Sequence, residues 1–497
     1  MRAFGAGCDG VHADDAAFAF AMDAANAHGG TVVVPAGMTC VLTRTFNLGY
    51  ACPVGARSRD TLTCPNPTPA VGVTFRGAGL ASRGNLDTQE PPNNHGLDPQ
   101  SYPSTVLFDA SPPDCDARVG GGFTTGSAET GTARYITFED LAIVAGPSFR
   151  SCLINETTAG TGDPVNIVVR RVRLRGNRVG TTTSGVYLSN ASWSVIDESY
   201  FSNFDHAISS CASQVTPCNN YVNDLVVTNS LFYSRSTYVH KTGWEWGKVD
   251  CNFIVNLSSA VFVRGLRMTG NAFESGPNAI HVHGVQGGDI SSNWFEGEAR
   301  ASPHAVSAAT CPANPDPVWI HVNWGMGVTI GGNYIANGYD GIWSQAYAEV
   351  IEGNHFEDTF GTNVVLRTGA AVVEGNHFQG AHGVDQVDID VLDGSHRIGP
   401  NDHANLGAKW YVNLRVGTSG QLTAPAALSP KINDGSGGGW MRFAGGEAAF
   451  NGVLSLGHPV PTPPNPPAGG YSVYVDSADG LLKAKGANGT VTVIGRP

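Results

Sequence analysis

The sequence predicts an all-β fold, a parallel β-helix, and three observations carry that prediction. Glycine accounts for 64 of the 497 residues, and charged residues make up only 14% of the chain. A short motif built on Asn-x-Phe recurs through the second half. An Ala-rich segment near the N terminus leads directly into a Val-rich strand. Many short strands joined by tight turns have such a composition, whereas helix-rich proteins carry more Lys and Glu.

The recurring motif gives the length of one coil. Five segments contain an Asn followed two positions later by Phe or Ile, with the asparagines at Asn271, Asn293, Asn333, Asn354 and Asn376. These asparagines are 22, 40, 21 and 22 residues apart, and a period near 22 corresponds to one turn of a three-faced β-helix. The interval of 40 predicts an inserted loop at about 299–317. Weaker copies of the motif precede these segments, at 136–143, 167–175, 195–204 and 225–233.

The alternation within each repeat assigns its side chains to faces. Residues two apart in a strand share a face, so the Asn and the Phe of each motif are expected to point inward. The asparagines should then stack as an internal ladder whose amides bond the turn backbone and one another.

The first 45 residues are predicted to cap the β-helix. Asp14 or Asp15 suits a helix N-cap, 16–27 suits an amphipathic helix, and Gly29 suits its C-terminal stop. With Gly-Cys-Asp-Gly before this helix and Gly-Gly-Thr-Val-Val-Val-Pro-Ala-Gly after it, the segment resembles the N-terminal signature of the pectate-lyase-like superfamily. That superfamily includes phage tailspikes and many extracellular glycosidases and lyases. The resemblance implies a right-handed parallel β-helix with an N-terminal capping α-helix, and it carries no catalytic motif over.

The body of the β-helix is predicted to span 46–406, and the repeat fades beyond it. A further C-terminal β region is expected at 407–460 and a Pro-rich linker at 461–470. Residues 471–497 contain short β-type segments separated by Asp-Gly and Asn-Gly turns, the pattern of a small C-terminal β meander. This tail is similar to short modules of fibrous and phage-related proteins, and that resemblance implies a homotrimer.

Charge and hydropathy limit the classes of partner. The chain has 29 Lys and Arg against 42 Asp and Glu, a formal net charge of −13. Nucleic acid is therefore excluded as a predicted partner, because its binding needs a positive surface. A polyanionic ligand is disfavoured unless a local basic pocket binds it. No apolar run approaches the ~18 residues of a membrane span, so no membrane partner is predicted.

The ten cysteines predict disulfides and an oxidising compartment, extracellular or periplasmic. Cys52 with Cys64, and Cys211 with Cys218, are close enough in sequence to close small loops. The pairing of the other six stays open. Met1 is interpreted as a start that replaced a removed export signal.

A second strand in each turn predicts a polar and aromatic strip along one outer face. One outward column contains His240, His281, His321, Trp343 and Val365, and its neighbour contains Thr242, His283, Asn323, Gln345 and Arg367. Sugar rings pack on aromatic rings and sugar hydroxyls bond polar side chains, so a polysaccharide or oligosaccharide is the predicted ligand. The predicted substrate-binding residues are His240, Lys241, Trp244, Trp246, His281, His283, Trp294, His321, Asn323, Trp343 and Arg367.

Paired carboxylates are predicted to hydrolyse that ligand. A third outward column contains Glu274, Glu296, Ala336, Glu357 and Gln379, and its first two members belong to successive turns. Two carboxylates held close together can divide the acid and base roles of a glycosidase. The segment 240–250 interrupts the repeat and offers Glu245 with Asp250 as a second pair. The predicted catalytic residues are Glu245, Glu274, Glu296 and Asp340.

Three alternatives stay open. His240 or Lys241 acting as a base, with Arg367 neutralising a uronate carboxylate, would make the chain a polysaccharide lyase or a C5-epimerase. A non-catalytic glycan-binding spike or adhesin is consistent with the C-terminal tail. A zinc site would need His281, His283 and His321 to converge from consecutive turns, so neither a metal nor a cofactor is predicted.

Overall fold

The structure is a computed structural model, and the chain divides into two compact units, 1–315 and 316–497. It describes residues 1–53, 55–58, 61–79, 104–110, 112–115, 120–125, 135–157, 166–177, 184–189, 191–211, 220–233, 239–241, 243–245, 253–274, 278–296, 318–359, 361–380, 385–404, 410–422, 471–476, 478–479, 481–486 and 488–495. For 69, 239–241, 243–245, 385, 410–413, 415–422, 471–475 and 495 it describes the backbone alone.

Within its described residues, the first unit contains a short 3-10 turn at Arg2–Phe4, the helix α1 at Asp15–Asn26 and 28 strands. These strands are β1 Asp9–Ala13, β2 Thr31–Val33, β3 Met38–Leu42, β4 Phe46–Asn47, β5 Tyr50–Ala51, β6 Thr68–Pro69, β7 Val73–Arg76, β8 Ser104–Phe108, β9 Phe123–Thr124, β10 Tyr135–Glu139, β11 Ala142–Ala145, β12 Ile154–Thr157, β13 Asn166–Arg170, β14 Arg173–Arg175, β15 Ser184–Ser189, β16 Ala191–Ser192, β17 Val195–Asp197, β18 Tyr200–Ser202, β19 His206–Ser209, β20 Tyr221–Asn223, β21 Val226–Thr228, β22 Leu231–Tyr233, β23 Val239–Lys241, β24 Gly243–Glu245, β25 Val255–Thr269, β26 Ala272–Glu274, β27 Ile280–Ser291 and β28 Trp294–Glu296.

The second unit contains strands alone among its described residues. They are β29 Val318–Gly331, β30 Tyr334–Ala336, β31 Asp340–Glu352, β32 His355–Glu357, β33 Thr362–Leu366, β34 Ala370–Glu374, β35 His377–Gln379, β36 Asp385–Ile398, β37 Asp402–Ala404, β38 Trp410–Leu422, β39 Tyr471–Val475, β40 Leu482–Gly486 and β41 Val491–Gly495.

Each coil contributes strands to three parallel faces, which confirms the predicted right-handed parallel β-helix. In the first unit, the face that we call face A runs β1-β3-β8-β11-β14-β18-β22-β26-β28. Face B runs β9-β12-β15-β19-β25-β27, and face C runs β2-β7-β10-β13-β17-β21-β25-β27. The long strands β25 and β27 bend around the corner between faces B and C.

The second unit repeats this arrangement. Its face A runs β30-β32-β35-β37, and its face B runs β29-β31-β33-β36-β38. The sequence predicts that the repeat fades beyond residue 406, yet β38 pairs in parallel with β36. The predicted inserted loop at 299–317 lies outside the described residues.

The interior confirms the predicted ladder of asparagines. In the first unit, Asn271 Nδ2 donates to Asn293 Oδ1 at 3.0 Å. In the second unit, the amides of Asn333, Asn354 and Asn376 continue the pattern, each donating to the Oδ1 of the next at 2.9–3.0 Å and ending at Asn401. Stacked rings run beside the ladder: Phe201, Phe232, Phe273 and Phe295 in one unit, Phe356 and Phe378 in the other.

Helix α1 closes the N-terminal end of the core. Its Phe18 is fully buried and stacks on Phe75 at 5.4 Å, against rings of the first coils. Asp14 occupies the N-cap position without a capping hydrogen bond to the helix. Its carboxylate instead accepts the amides of Gly7, Cys8 and Val41. The residue predicted as an N-cap thus joins the chain before the helix to strand β3.

Disulfides fasten the early coils. Cys52 and Cys64 are bonded, as their spacing predicts, and Cys8–Cys40 and Cys115–Cys152 form two further bridges. Cys211 is also disulfide-bonded, while Cys218 lies outside the described residues. No helix among the described residues has the length and apolar character needed to cross a bilayer.

Three antiparallel elements interrupt the parallel pattern among the described residues. The first is a two-stranded sheet in which β5 pairs with β6. The tail forms the predicted meander, in which β39 pairs with β40 and β40 with β41. Strand β23 was predicted as a coil strand, and this prediction is wrong, because β23 pairs antiparallel with β24 as a small hairpin. The following strand β25 takes the place in the coil instead, because its buried Val255 and Leu257 supply the apolar interior positions.

Candidate functional site

Two glutamates of the first unit lie side by side on face A. Register places Glu274 of β26 directly beside Glu296 of β28, as the repeat predicts. Phe273 and Phe295, the preceding residues, stack inside the coil at 4.9 Å, so alternation turns both glutamates outward. Glu274 is half-buried and Glu296 is exposed.

An indole flanks this carboxylate pair. Trp294 is 44% exposed, and its Nε1 donates to Glu296 Oε2 at 3.1 Å. On the preceding strand, the half-buried Tyr233 lies beside Glu274 in the same column. We call the set Tyr233, Glu274, Trp294 and Glu296 the carboxylate face. Tyr233 was missed, although it occupies in its weaker repeat the position that Glu274 and Glu296 occupy in theirs.

The carboxylate face brings together two carboxyl groups and an exposed ring, the groups that glycoside hydrolysis uses. Neighbouring strands are ~4.8 Å apart at the backbone. Glutamate side chains on such strands can hold their carboxyl groups ~5 Å apart, as in retaining enzymes, or splay further apart, as in inverting ones. The exposed indole offers an apolar surface for a sugar ring.

The predicted exposed histidines on face B of the first unit behave differently. His281 is only 2% exposed and its Nδ1 lies 2.9 Å from Asn256 Oδ1, so its predicted exposure is wrong. Its column is buried throughout, with Asn155, Tyr187, Ser209 and Asn256 all at most 3% exposed.

Backbone carbonyls of loops reach onto that column. Asn155 Nδ2 donates to the carbonyls of Cys115 and Gly120, and Asn256 Nδ2 donates to that of Cys211. His283, two residues beyond His281, is half-buried, and burial lowers the pKa of its imidazole. Face B of this unit is therefore a covered surface along the His281 column.

The second unit brings three predicted binding residues together. Register places His321 beside Trp343, and the rings meet edge to face with centroids 5.6 Å apart. The Arg367 guanidinium lies over the Trp343 ring, 4.4 Å from its centroid. All three side chains are half-buried, and we call them the arginine cluster. Asn323 is also half-buried.

Asp340 lies at the start of β31 and is 5% exposed. Its Oδ1 accepts the backbone amide of Thr362 at 2.6 Å, on the neighbouring coil. This carboxylate therefore joins two strands of its own unit.

A ladder of rings on face A of the second unit was missed. Tyr334 stacks on His355 at 5.3 Å, and His355 stacks on His377 at 4.7 Å. The Tyr334 hydroxyl donates to Glu357, and His377 Nδ1 lies 2.7 Å from Asp402. Burial and the neighbouring His377 lower the pKa of His355, against the opposing effect of Glu357. The sequence did contain a signal for this ladder. In these three repeats the residue between the inward Asn and the inward Phe or Ile has a ring side chain, as Trp294 does in its repeat.

The second carboxylate pair predicted for catalysis, in the segment 240–250, lies largely outside the described part of the structure. For His240, Lys241, Trp244 and Glu245 the backbone alone is described, and Trp246 is outside the described residues.

Among the described residues, one group of three candidate metal ligands comes together: Cys8, Asp14 and Cys40. The two cysteines are bonded to each other, so their sulfurs are not thiolate ligands.

Comparison with known proteins gives distant structural likenesses. No protein-family model and no curated protein matches the chain. The adhesin PfbA of Streptococcus pneumoniae is similar at 13% identity, over 84% of this chain and 99% of its own, with a TM-score of 0.43. The catalytic unit of a GH87 α-1,3-glucanase from Streptomyces thermodiastaticus is similar at 13% identity. The match covers 85% of this chain and 66% of the glucanase unit, with a TM-score of 0.38. The mannuronan C-5 epimerase AlgE6 A-module of Azotobacter vinelandii is similar at 14% identity. The match covers 86% of this chain and 99% of the module, with a TM-score of 0.38.

Proposed function

We propose that this chain is an extracellular glycosidase that cleaves a polysaccharide at the carboxylate face. The observation that carries the proposal is the register of Glu274 beside Glu296, with the exposed Trp294 bonded to the second of them. A glycosidic bond is cleaved by two carboxyl groups, and the sugar beside it needs an apolar surface on which to pack.

The contacts of the two glutamates divide their roles. The indole N–H of Trp294 holds the Glu296 carboxylate in place, so Glu296 is assigned as the base or nucleophile. The half-buried Glu274 is assigned as the acid. It transfers its proton to the leaving glycosidic oxygen while Glu296 either takes a proton from the attacking water or bonds the anomeric carbon.

The disulfides support an extracellular location. Three disulfide bridges and a further bonded cysteine, Cys211, are typical of proteins that fold in an oxidising environment. An extracellular protein would also meet extracellular polysaccharides.

Incubation with a panel of neutral and uronate polysaccharides tests the proposal. Product size and ultraviolet absorbance of the unsaturated uronate are measured for the wild type, Glu274→Gln and Glu296→Gln. We expect shorter products without new absorbance, and a loss of about 100-fold or more in each variant. Glu352→Gln, an exposed glutamate on β31, is the matched control and should retain full activity.

Two outcomes would replace the hydrolase. Shorter products that absorb would indicate β-elimination, and with it the lyase. Polymer binding without any change in polymer size or uronate composition would indicate a glycan-binding spike.

A further inference from the structure

Arg367 is a cation for which the described part of this acidic protein offers no acidic partner. The chain has a formal net charge of −13, yet Arg367 forms no ion pair with any described carboxylate. Asp390 lies in the column of Trp343, two coils further on, and is buried without pairing with Arg367. Arginines elsewhere in the described chain do pair with carboxylates, among them Arg44, Arg57, Arg76, Arg170, Arg171 and Arg397.

The arginine cluster also holds two donors for which the described residues supply no acceptor. Arg367 Nε and Trp343 Nε1 are both shielded from solvent, and neither donates a hydrogen bond to a described residue. Buried donors without acceptors are rare in folded proteins, since each costs free energy until an acceptor is supplied. Two of them, on side chains that contact each other, make one place where a negatively charged acceptor is missing.

The backbone that carries Arg367 is held in place. His396 is 1% exposed, and its Nδ1 accepts the amide of Ala371. The other nitrogen, Nε2, therefore carries the hydrogen, and it donates to the carbonyl of Arg367 at 2.9 Å. The buried imidazole thus fixes the backbone from which the guanidinium extends over the Trp343 ring.

We infer that the arginine cluster binds the anionic group of an acidic glycan, a carboxylate or a sulfate ester. Arg367 supplies the charge and a planar fork of donors that matches either group, and Trp343 supplies its indole N–H and an apolar ring face. His321, perpendicular to that ring, borders the same place. This inference rests on the proposed glycan ligand, but not on the cleavage assigned to the carboxylate face.

Binding by the full chain is measured with three probes. The first is an oligogalacturonate of defined length, the second is the same oligosaccharide with its carboxyl groups reduced to primary alcohols, and the third is a sulfated neutral oligosaccharide. We expect the wild type to bind one of the two anionic probes about tenfold or more tightly than the reduced one, with an affinity that falls as salt rises. The anionic probe that is preferred identifies the source of the charge.

Variants assign the preference to the cluster. Arg367→Gln should abolish it, and Trp343→Phe, which keeps a ring but removes the indole N–H, should reduce it several-fold. Arg397→Gln is the matched control, because Arg397 is an exposed arginine of the same unit that pairs with Glu374 at 3.7 Å. It should leave the preference unchanged.

The outcomes separate the two proposals. Equal binding of all three probes by the wild type, or a preference that survives Arg367→Gln, would overturn the inference while leaving cleavage intact. A preference that depends on Arg367, in a protein that cleaves no polymer, supports the inference and removes the glycosidase. If no probe binds, the inference fails, and the glycosidase is judged by the polysaccharide panel alone.

Discussion

The Oγ of Ser194 lies 2.6 Å from each carboxylate oxygen of Glu156, inside the first unit and out of contact with solvent. Burial raises the pKa of Glu156 to about 8, although the hydroxyl opposes the shift. The second unit has a similar pair, in which the Ser344 hydroxyl donates to the buried Glu349. Burial raises the pKa of Glu349 to about 7. Neither carboxyl has a cation beside it among the described residues.

The first prediction is that the protein loses stability as pH rises. A carboxyl whose pKa is higher in the folded state binds its proton more tightly there, so its contribution is complete at pH below the unfolded value of 4.5. That contribution falls by on the order of 1 kcal/mol per pH unit up to about pH 8. The midpoint of urea unfolding should therefore be lower at pH 8.5 than at pH 5.

Glu156→Gln isolates one of these groups. The amide keeps a partner for Ser194 and carries no charge, so the variant should match the wild type at pH 5 and exceed it at pH 8.5. Glu352→Gln, on an exposed glutamate, should follow the wild type at both values. A wild type that is more stable at pH 8.5 than at pH 5 would contradict the prediction.

The second prediction concerns the asparagine ladder. Asn354→Ala should lower the free energy of unfolding by about 2–5 kcal/mol, because it leaves the backbone amide and the side chain of Asn333 without their acceptor. Gln379→Ala, on a half-buried side chain of the next coil, is the control and should cost less than about 1 kcal/mol. Equal losses in the two variants, measured by denaturant unfolding, would exclude a special role for the ladder.

The third prediction separates the two functions of Trp294. Trp294→Ala should raise KM for the cleaved polymer about tenfold, since it removes the exposed ring on which a sugar packs. Trp294→Phe keeps a ring but loses the bond to Glu296, so kcat should fall while KM changes little. Trp193 also donates to a carboxylate, that of Asp224, and Trp193→Phe should change neither constant. A fall in kcat of the same size in the Trp193 variant would reject the assignment.

The fourth prediction assigns Asp340 to stability. Asp340→Ala removes the acceptor of the Thr362 amide and should cost about 1–3 kcal/mol of unfolding free energy. Asp340→Asn keeps an oxygen for that amide and should retain kcat within about threefold. A large loss of kcat in a well-folded Asp340→Asn protein would return this residue to the catalytic set.

The fifth prediction concerns the bridge at the N-terminal cap. Cys8 and Cys40 are 32 residues apart, and closing a loop of that size contributes about 3–4 kcal/mol in the chain-entropy model. The double variant Cys8→Ser with Cys40→Ser should therefore show a lower Tm under non-reducing conditions. In the presence of a reductant the two proteins should differ less, and an unchanged Tm without reductant would contradict the prediction.

Much of the fold could be predicted because a coil repeats its own pattern. The Asn and Phe positions recur near every 22 residues, and a buried amide or ring at one coil requires a like partner at the next. The same register places Glu274 beside Glu296, so this part of the candidate site was also predictable. The hairpin at β23 and β24 was not, because a short Val-containing segment carries no mark of whether its partner strand is parallel.

The sequence by itself determined the coil, its capping helix, the inward ladder and the neighbours of each side chain along a column, since alternation and period are local properties of the chain. Tertiary structure alone decided which columns meet solvent. His281 and Trp343 occupy like positions by sequence, yet the first is buried where loop carbonyls reach its column and the second remains partly open beneath Arg367. Covering a column depends on where distant loops fold, and no period in the sequence encodes that.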